Sequence, residues 1–150
     1  MPEKETLERA EQDKREGKSP STQAGEFVRE EIHHVREGKH GAKSAKQAVA
    51  IGLSKARRAG VDLAPPKKGR VSEKTRKSAA RDSRRGRSKK KKTVSAKRSR
   101  SSEAALKREP RSAASHRALS RQAKSAARTR KKGAAKTTQA RRTQSRRKAA

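Results

Sequence analysis

Apart from Leu7 near the start, the larger apolar side chains of this chain concentrate between residues 27 and 63 and become rare thereafter. Ala24, Val28, Ile32 and Val35 recur at three- and four-residue steps with Phe27 beside them. That spacing is the apolar stripe of one helix face, running from about Ser21 to Glu37. Gly38 ends the pattern and Gly41 completes a turn. Ser44, with Gln47 three residues on, has the form of a capping box at the start of a further helix. In that helix Val49, Leu53 and Ala56 share a face, and Ala48 and Ile51 sit next to it. Gly60 closes the segment, and Val61 and Leu63 can fold back on it. The pattern predicts a helical hairpin over residues 21–60. Ahead of it, Glu alternates with Lys and Arg over residues 3–16 at helical spacing, which predicts a solvent-exposed helix ending at Gly17. Lys18-Ser19-Pro20-Ser21 is the intervening turn.

A hairpin of ~40 residues with about seven medium-sized core side chains, and no metal or disulfide, is marginal by itself. It is expected to dimerise, to lean on the first helix, or to tighten on binding. Gly52 in mid-helix costs about 1 kcal/mol relative to alanine, which points to close approach of another helix there.

Beyond Pro65 the only larger apolar residues are Val71, Val94, Leu106 and Leu119. The break falls at Ala64-Pro65-Pro66-Lys67-Lys68-Gly69, where two prolines stop a helix and begin a linker. Three regions follow: residues 1–20, a charged helix and turn; 21–64, the hairpin; and 65–150, a low-complexity basic tail. Lys77-Ser78-Ala79-Ala80-Arg81 recurs as Lys124-Ser125-Ala126-Ala127-Arg128. Alanine, lysine and arginine favour helix, so conditional helices are predicted at 72–85, 102–109 and 110–132. Pro110 suits a first helical position and Gly133 a stop. The expected class is all-α where ordered, with the tail largely disordered or conditionally helical.

Charge sharpens this division. The chain carries net +31, with 41% charged and 27% hydrophobic residues and Phe27 as its one aromatic. Residues 1–64 hold 13 Lys/Arg against 11 Asp/Glu, while residues 65–150 hold 33 against 4. Few large apolar groups and high charge leave little buried surface to offset ordering entropy. The excess of cations points to a polyanionic partner, nucleic acid above all. An anionic membrane surface is disfavoured, because the basic region offers alanine rather than Trp, Phe or Leu. The charged N-terminal segment lacks the apolar stretch of a secretory signal, and a soluble, cytoplasmic protein is expected.

The tail's +29 would match roughly 50 Å of duplex, about 15 base pairs. Lys and Arg at short, varied spacings follow phosphates without reading bases. The nucleic-acid-binding candidates are Lys67, Lys68, Arg70, Arg84, Arg85, Arg87, Lys89, Lys90, Lys91 and Lys92. Arg117, Arg121, Lys124 and Arg128 join them, facing phosphates from a groove-lying helix. No zinc finger, zipper or fixed recognition helix is present to confer sequence specificity. The near-absence of aromatics argues against a sequence-specific reader of single-stranded RNA.

Other chemistry is thinly represented. There is no cysteine, which removes disulfides, thiolate zinc sites and cysteine nucleophiles. His33, His34 and His40 lie near Glu30 and Glu37, but their spacing matches no zinc motif. They are read as solvent-facing histidines beside a turn, with no metal and no cofactor. Gly38-Lys39-His40-Gly41-Ala42-Lys43-Ser44 lacks the spacing and the preceding strand of a phosphate loop. No nucleophile, base and orienting group cluster, and the core is too small for a preorganised pocket, so no enzyme is expected. Serines in Arg98-Ser99-Arg100-Ser101-Ser102 sit in a basic context where phosphorylation would weaken DNA binding.

Three stretches, REGKHGAKSAKQAVAIGLSKARRAG, PPKKG and REPRSAASHRALSRQAKSAARTRKKG, resemble a family of small basic bacterial proteins. Its members are described only as DNA-binding proteins or as a domain of unknown function. The resemblance spans residues 26 to about 133. The tail is also similar in composition to the Lys/Ala-rich tails of linker histones and bacterial histone-like proteins. The resemblance implies DNA binding and brings no catalytic residues. The expectation is a non-sequence-specific DNA-binding protein of the bacterial nucleoid that coats, bridges or compacts DNA, with a homo-oligomer formed through the hairpin. The competing expectations are an RNA- or ribosome-associated basic protein, and a protein-interaction module localised by its tail.

Overall fold

The computed structural model describes residues 2–88 and 95–148, with side chains up to residue 134. It divides into two units, Met1–Ser115 and His116–Ala150. The first holds α1 (Lys4–Arg15), α2 (Pro20–Glu37), α3 (Ala45–Arg58), α4 (Glu73–Arg87), α5 (Ala96–Lys107) and a single 3₁₀ turn (Arg111–Ala114); the second is α6 (His116–Lys148). The described residues are helical or irregular, without a strand.

The ends of the hairpin helices follow from local chemistry. Ser19 caps α2, its Oγ accepting from the Thr22 amide at 3.3 Å, and Pro20 occupies the first helical position, where its missing N–H removes no bond. Gly38 ends α2 in the left-handed region at φ 79°, open to glycine without steric cost. Ser44 caps α3 through the Gln47 amide at 3.3 Å. The expected capping box is shifted by one residue: the Gln47 side chain accepts from the Lys43 amide at 2.9 Å, not from Ser44. After α3 the chain turns back. The Arg57 guanidinium donates to the carbonyls of Leu63 and Ala64, both at 3.3 Å, and Val61 and Leu63 pack on the core. Burial at that turn lowers the Arg57 pKa.

The core is made mainly of alanine. Among the described residues, nine of the eleven buried apolar ones are alanines, and Phe27 and Val35 are the others. Phe27 packs with Ala10, Ala24 and Ala56, flanked by Leu53, Val61 and Leu63. Val35 packs with Ala42, Ala48, Ala113 and Ala114, flanked by Ile32. Val28, Val49 and Ile51 are only half-buried. Short side chains touch only where backbones come close, and α2 and α3 do so at Gly52. A Cβ there would stand 2.7 Å from Val28 Cα and 3.0 Å from the Phe27 carbonyl oxygen. This is the close approach that the mid-helix glycine predicted.

The hairpin differs from its expected form in what surrounds it. The first helix is not a solvent-exposed bystander. Thr6 and Ala10, one turn apart and small, are buried on the α2 side. Charges on the rim secure the contact: Arg9 Nε donates to Glu26 at 2.7 Å, and Glu3 accepts from His34 Nε2 at 2.8 Å and Lys39 Nζ at 3.0 Å. These two donors hold the Glu3 carboxyl at a pKa of about 2. On the other side, α4 packs on α3 through Ala79, Ser83 and Gly86. A Cβ at Gly86 would lie 1.9 Å from the Arg57 carbonyl oxygen. Ser54 donates to Asp82 at 2.6 Å and Ser83 to the Leu63 carbonyl at 3.3 Å.

Residues 106–114 close the far end. The amides of Gly41 and Ala42 donate to the carbonyls of Leu106 (2.9 Å) and Pro110 (3.1 Å), and Arg36 Nε donates to Ala114 at 3.0 Å. A Cβ at Gly41 would fall 1.7 Å from the Glu109 carbonyl oxygen. Two expected helix signals also move. Pro110 precedes the 3₁₀ turn instead of opening an α-helix, and Gly133 lies within α6 instead of ending it.

Two measurements test this packing. Overpacking typically costs about 1–3 kcal/mol, against a helix-propensity gain of about 1 kcal/mol. Gly52→Ala is therefore expected to destabilise the protein by up to about 2 kcal/mol in urea unfolding. Gly25→Ala, in the same hairpin with nothing within 4 Å of the added methyl, is expected to stabilise it by up to about 1 kcal/mol. The Glu3 contact has a pH signature. A depressed native pKa contributes stability that is complete above the unfolded value near 4.5 and is lost as pH falls towards 2. Thermal midpoints of wild type and Glu3→Gln should differ at pH 7 and converge as pH approaches 2.

Candidate nucleic-acid interface

The acidic residues are largely used inside the molecule. At least thirteen of the fifteen carboxylates lie within 4.0 Å of a cationic side chain or a histidine ring. Since cations outnumber carboxylates threefold, most of the positive charge has no acidic counterpart.

In the first unit two exposed groups of these cations include expected residues, one on a linker and one on a helix. Lys67, Lys68 and Arg70 are exposed on the irregular segment between α3 and α4, following Pro65-Pro66. On α4, Lys74, Lys77, Arg81, Arg84 and Arg85 are exposed and share one side of the helix. The opposite side carries Ala79, Ser83 and Gly86, which pack on α3 and its turn. The small residues that dock α4 thus orient its cations outward, over about 16 Å of helix at 1.5 Å per residue. Arg84 and Arg85 were expected there. Lys74, Lys77 and Arg81 were missed, although their three- and four-residue steps are legible in the sequence. Arg87 pairs with Asp62, which reduces its availability to a phosphate. Lys89, Lys90, Lys91 and Lys92 lie outside the described residues.

The second unit is one long cationic helix. Residues 116–148 contain thirteen Lys and Arg and no acidic residue. Their 33-residue helix is about 50 Å long. Arg117, Arg121, Lys124 and Arg128 follow steps of four, three and four, so they share a face, and all are exposed. Such a row presents cations at intervals of about 5–6 Å along the helix axis.

The glycine turn at 38–44 is occupied with packing: Gly41 seats the Glu109 backbone and Ser44 caps α3. Two of the three histidines are less exposed than expected. His33 faces solvent, but His34 and His40 are half-buried against Glu30 and Glu31. The outer edge of this region is a cleft of about 230 Å³ lined by residues that include Glu3, Arg9, Arg29, His33 and His34. Among the described residues no helix is long and apolar enough to cross a membrane.

Residues 14–68 match a family of unknown function (DUF6496). The matched part runs from the end of α1 through α2 and α3 to Lys68, so it contains the hairpin and leaves out α4 to α6. No curated protein and no solved structure matches the chain.

Proposed function

We propose that this chain is a non-enzymatic, nucleoid-associated bacterial protein that binds duplex DNA through its phosphates without reading sequence. The observation that carries the proposal is α6, a 33-residue helix with thirteen cations and no carboxylate. The exposed row on α4 supports it as a second cationic face. Phosphate contacts made by Lys and Arg give affinity and salt dependence, and base-edge contacts give specificity. The aromatic platforms that single strands favour are absent from the sequence, apart from the buried Phe27. Two cationic faces on one chain give a means of engaging more than one stretch of backbone, which is the chemical requirement for bridging or compaction. Lysines and arginines act here as a field, so the loss of one is expected to weaken binding without abolishing it.

Fluorescence anisotropy across a salt series tests the reading on duplex DNA of two base compositions, single-stranded DNA and structured RNA. Equal affinity for the two duplexes and a steep fall with salt are expected. Replacing Arg117, Arg121, Lys124 and Arg128 together by glutamine should reduce the logarithmic salt slope by roughly 3–4, at about 0.9 for each lost phosphate contact. A chain ending at Ser115 should keep weaker, salt-sensitive binding through α4. Marked preference for one RNA, or affinity indifferent to salt, overturns the proposal in favour of an RNA or protein partner.

A further inference from the structure

Glu31 lies on the inner side of α2 and is wholly buried. Among the described residues neither of its carboxylate oxygens accepts a hydrogen bond. Lys55 Nζ stands 2.7 Å from its Oε2, close in distance but outside hydrogen-bond geometry, and the same ammonium lies 3.2 Å from Glu30 Oε1. One ammonium therefore faces two buried carboxylates. A buried anion without full hydrogen bonding is costly, and a further positive charge at this point would relieve it.

Two imidazoles border the same point. His40 Nε2 is 3.3 Å from Glu31 Oε1, and His34 Nδ1 is 3.9 Å from Glu30 Oε1. The donor atoms of Glu31, His34 and His40 all lie within 4.8 Å of one another. The two rings are 6.0 Å apart and nearly perpendicular, at 85°. The remaining nitrogen of each ring is already engaged. His34 Nε2–H donates to Glu3 at 2.8 Å, and His40 Nδ1–H donates to the Gly41 carbonyl at 3.1 Å. In the neutral rings this leaves the lone pairs on His34 Nδ1 and His40 Nε2, on the carboxylate side. An acceptor holding the outer nitrogen is the arrangement that orients metal-binding histidines. Metal–ligand bonds of about 2.0–2.1 Å at tetrahedral angles put ligand atoms roughly 3.3 Å apart, and the His40–Glu31 pair is at that separation.

We infer that Glu31, His34 and His40 form a binding site for one divalent transition-metal ion of the zinc class. Glu31 Oε1, His34 Nδ1 and His40 Nε2 are its protein ligands, and water completes the coordination. Two imidazoles and a single carboxylate suit zinc and its neighbours, whereas calcium and magnesium take oxygen-only sets. Lys55 engages Glu31 Oε2 and leaves Oε1 to the ion. Glu31 and His34 share a face of α2 one turn apart, and the Gly38 turn brings His40 back to them. The ion would join α2 to the 38–42 turn, from which residues 106–110 hang through the Gly41 and Ala42 amides. The site is independent of the proposed DNA contacts.

The test uses full-length protein, stripped with a chelator and titrated with Zn²⁺ by calorimetry and with Co²⁺ by visible absorption, in phosphate-free buffer. One equivalent per chain and a tetrahedral Co²⁺ spectrum are expected. His34→Gln and His40→Gln should each weaken binding at least ten-fold, and His33→Gln, whose ring is exposed, should bind as wild type. Circular dichroism checks that each variant is helical. Glu31→Gln keeps the side-chain shape, and its loss of affinity supplies the reading if a histidine variant unfolds. Absence of saturable binding overturns the inference. So does binding that the His34, His40 and Glu31 variants leave unchanged, or that His33→Gln removes equally.

Discussion

Alanine faces hold helices together only when the backbones themselves nearly touch, and this constraint governs the first unit. A leucine-rich hairpin can keep its helices 8–10 Å apart and fill the gap with side chains. Here the gap must close instead, and glycine occupies three of the closest approaches: Gly52 against Val28, Gly86 against the Arg57 carbonyl, and Gly41 against Glu109. Each contact joins a different piece to the same centre. Gly52 sets α3 on α2, Gly86 sets α4 on the end of α3, and Gly41 receives the 106–110 segment. The dispersion gained per pair is small, so the unit needs several such docked pieces to exclude water from Phe27 and Val35.

Charge is arranged around that centre with a consistent sense. The carboxylates are drawn inward or into rim pairs, as in Glu30 and Glu31 beside Lys55, Glu26 beside Arg9, and Asp82 beside Ser54. The lysines and arginines of α4 are turned outward by the same small residues that dock the helix. Packing and electrostatics are thus two readings of one helix: the side that can approach a backbone is the side without long cations. The His34–His40–Glu31 cluster lies where α2 and the following turn bring acid and imidazole together out of bulk water.

The hairpin was legible because helical periodicity of Val, Ile and Leu survives in residues 24–56, and because the Lys18–Ser21 turn, Gly38 and Ser44 mark its ends. Gly52 was legible as a mid-helix cost with a packing cause. The covering pieces were not. Ala79, Ala113 and Ala114 are buried and Gly86 half-buried, yet in a stretch rich in alanine and serine they give no hydrophobic stripe. Composition therefore assigned them to a tail. Thr6 and Ala10 were hidden in the same way behind their charged neighbours. The cationic face of α6 was read from spacing, whereas that of α4 needed the docked side to be known first. Glu31 gave no signal beside Glu30, because only the fold distinguishes a carboxylate on the surface from one beneath it.

A core composed of alanine changes what mutagenesis can see. Systematic replacement by alanine, the usual survey for residues that matter, leaves nine of the eleven buried apolar positions among the described residues untouched because the substituent is already there. Such a survey would report a protein that depends on Phe27, Val35 and a scatter of charges, and would overlook its interior. Enlargement is the informative perturbation: a methyl or isopropyl group placed at these positions asks whether two backbones can move apart, which is the question on which this architecture turns.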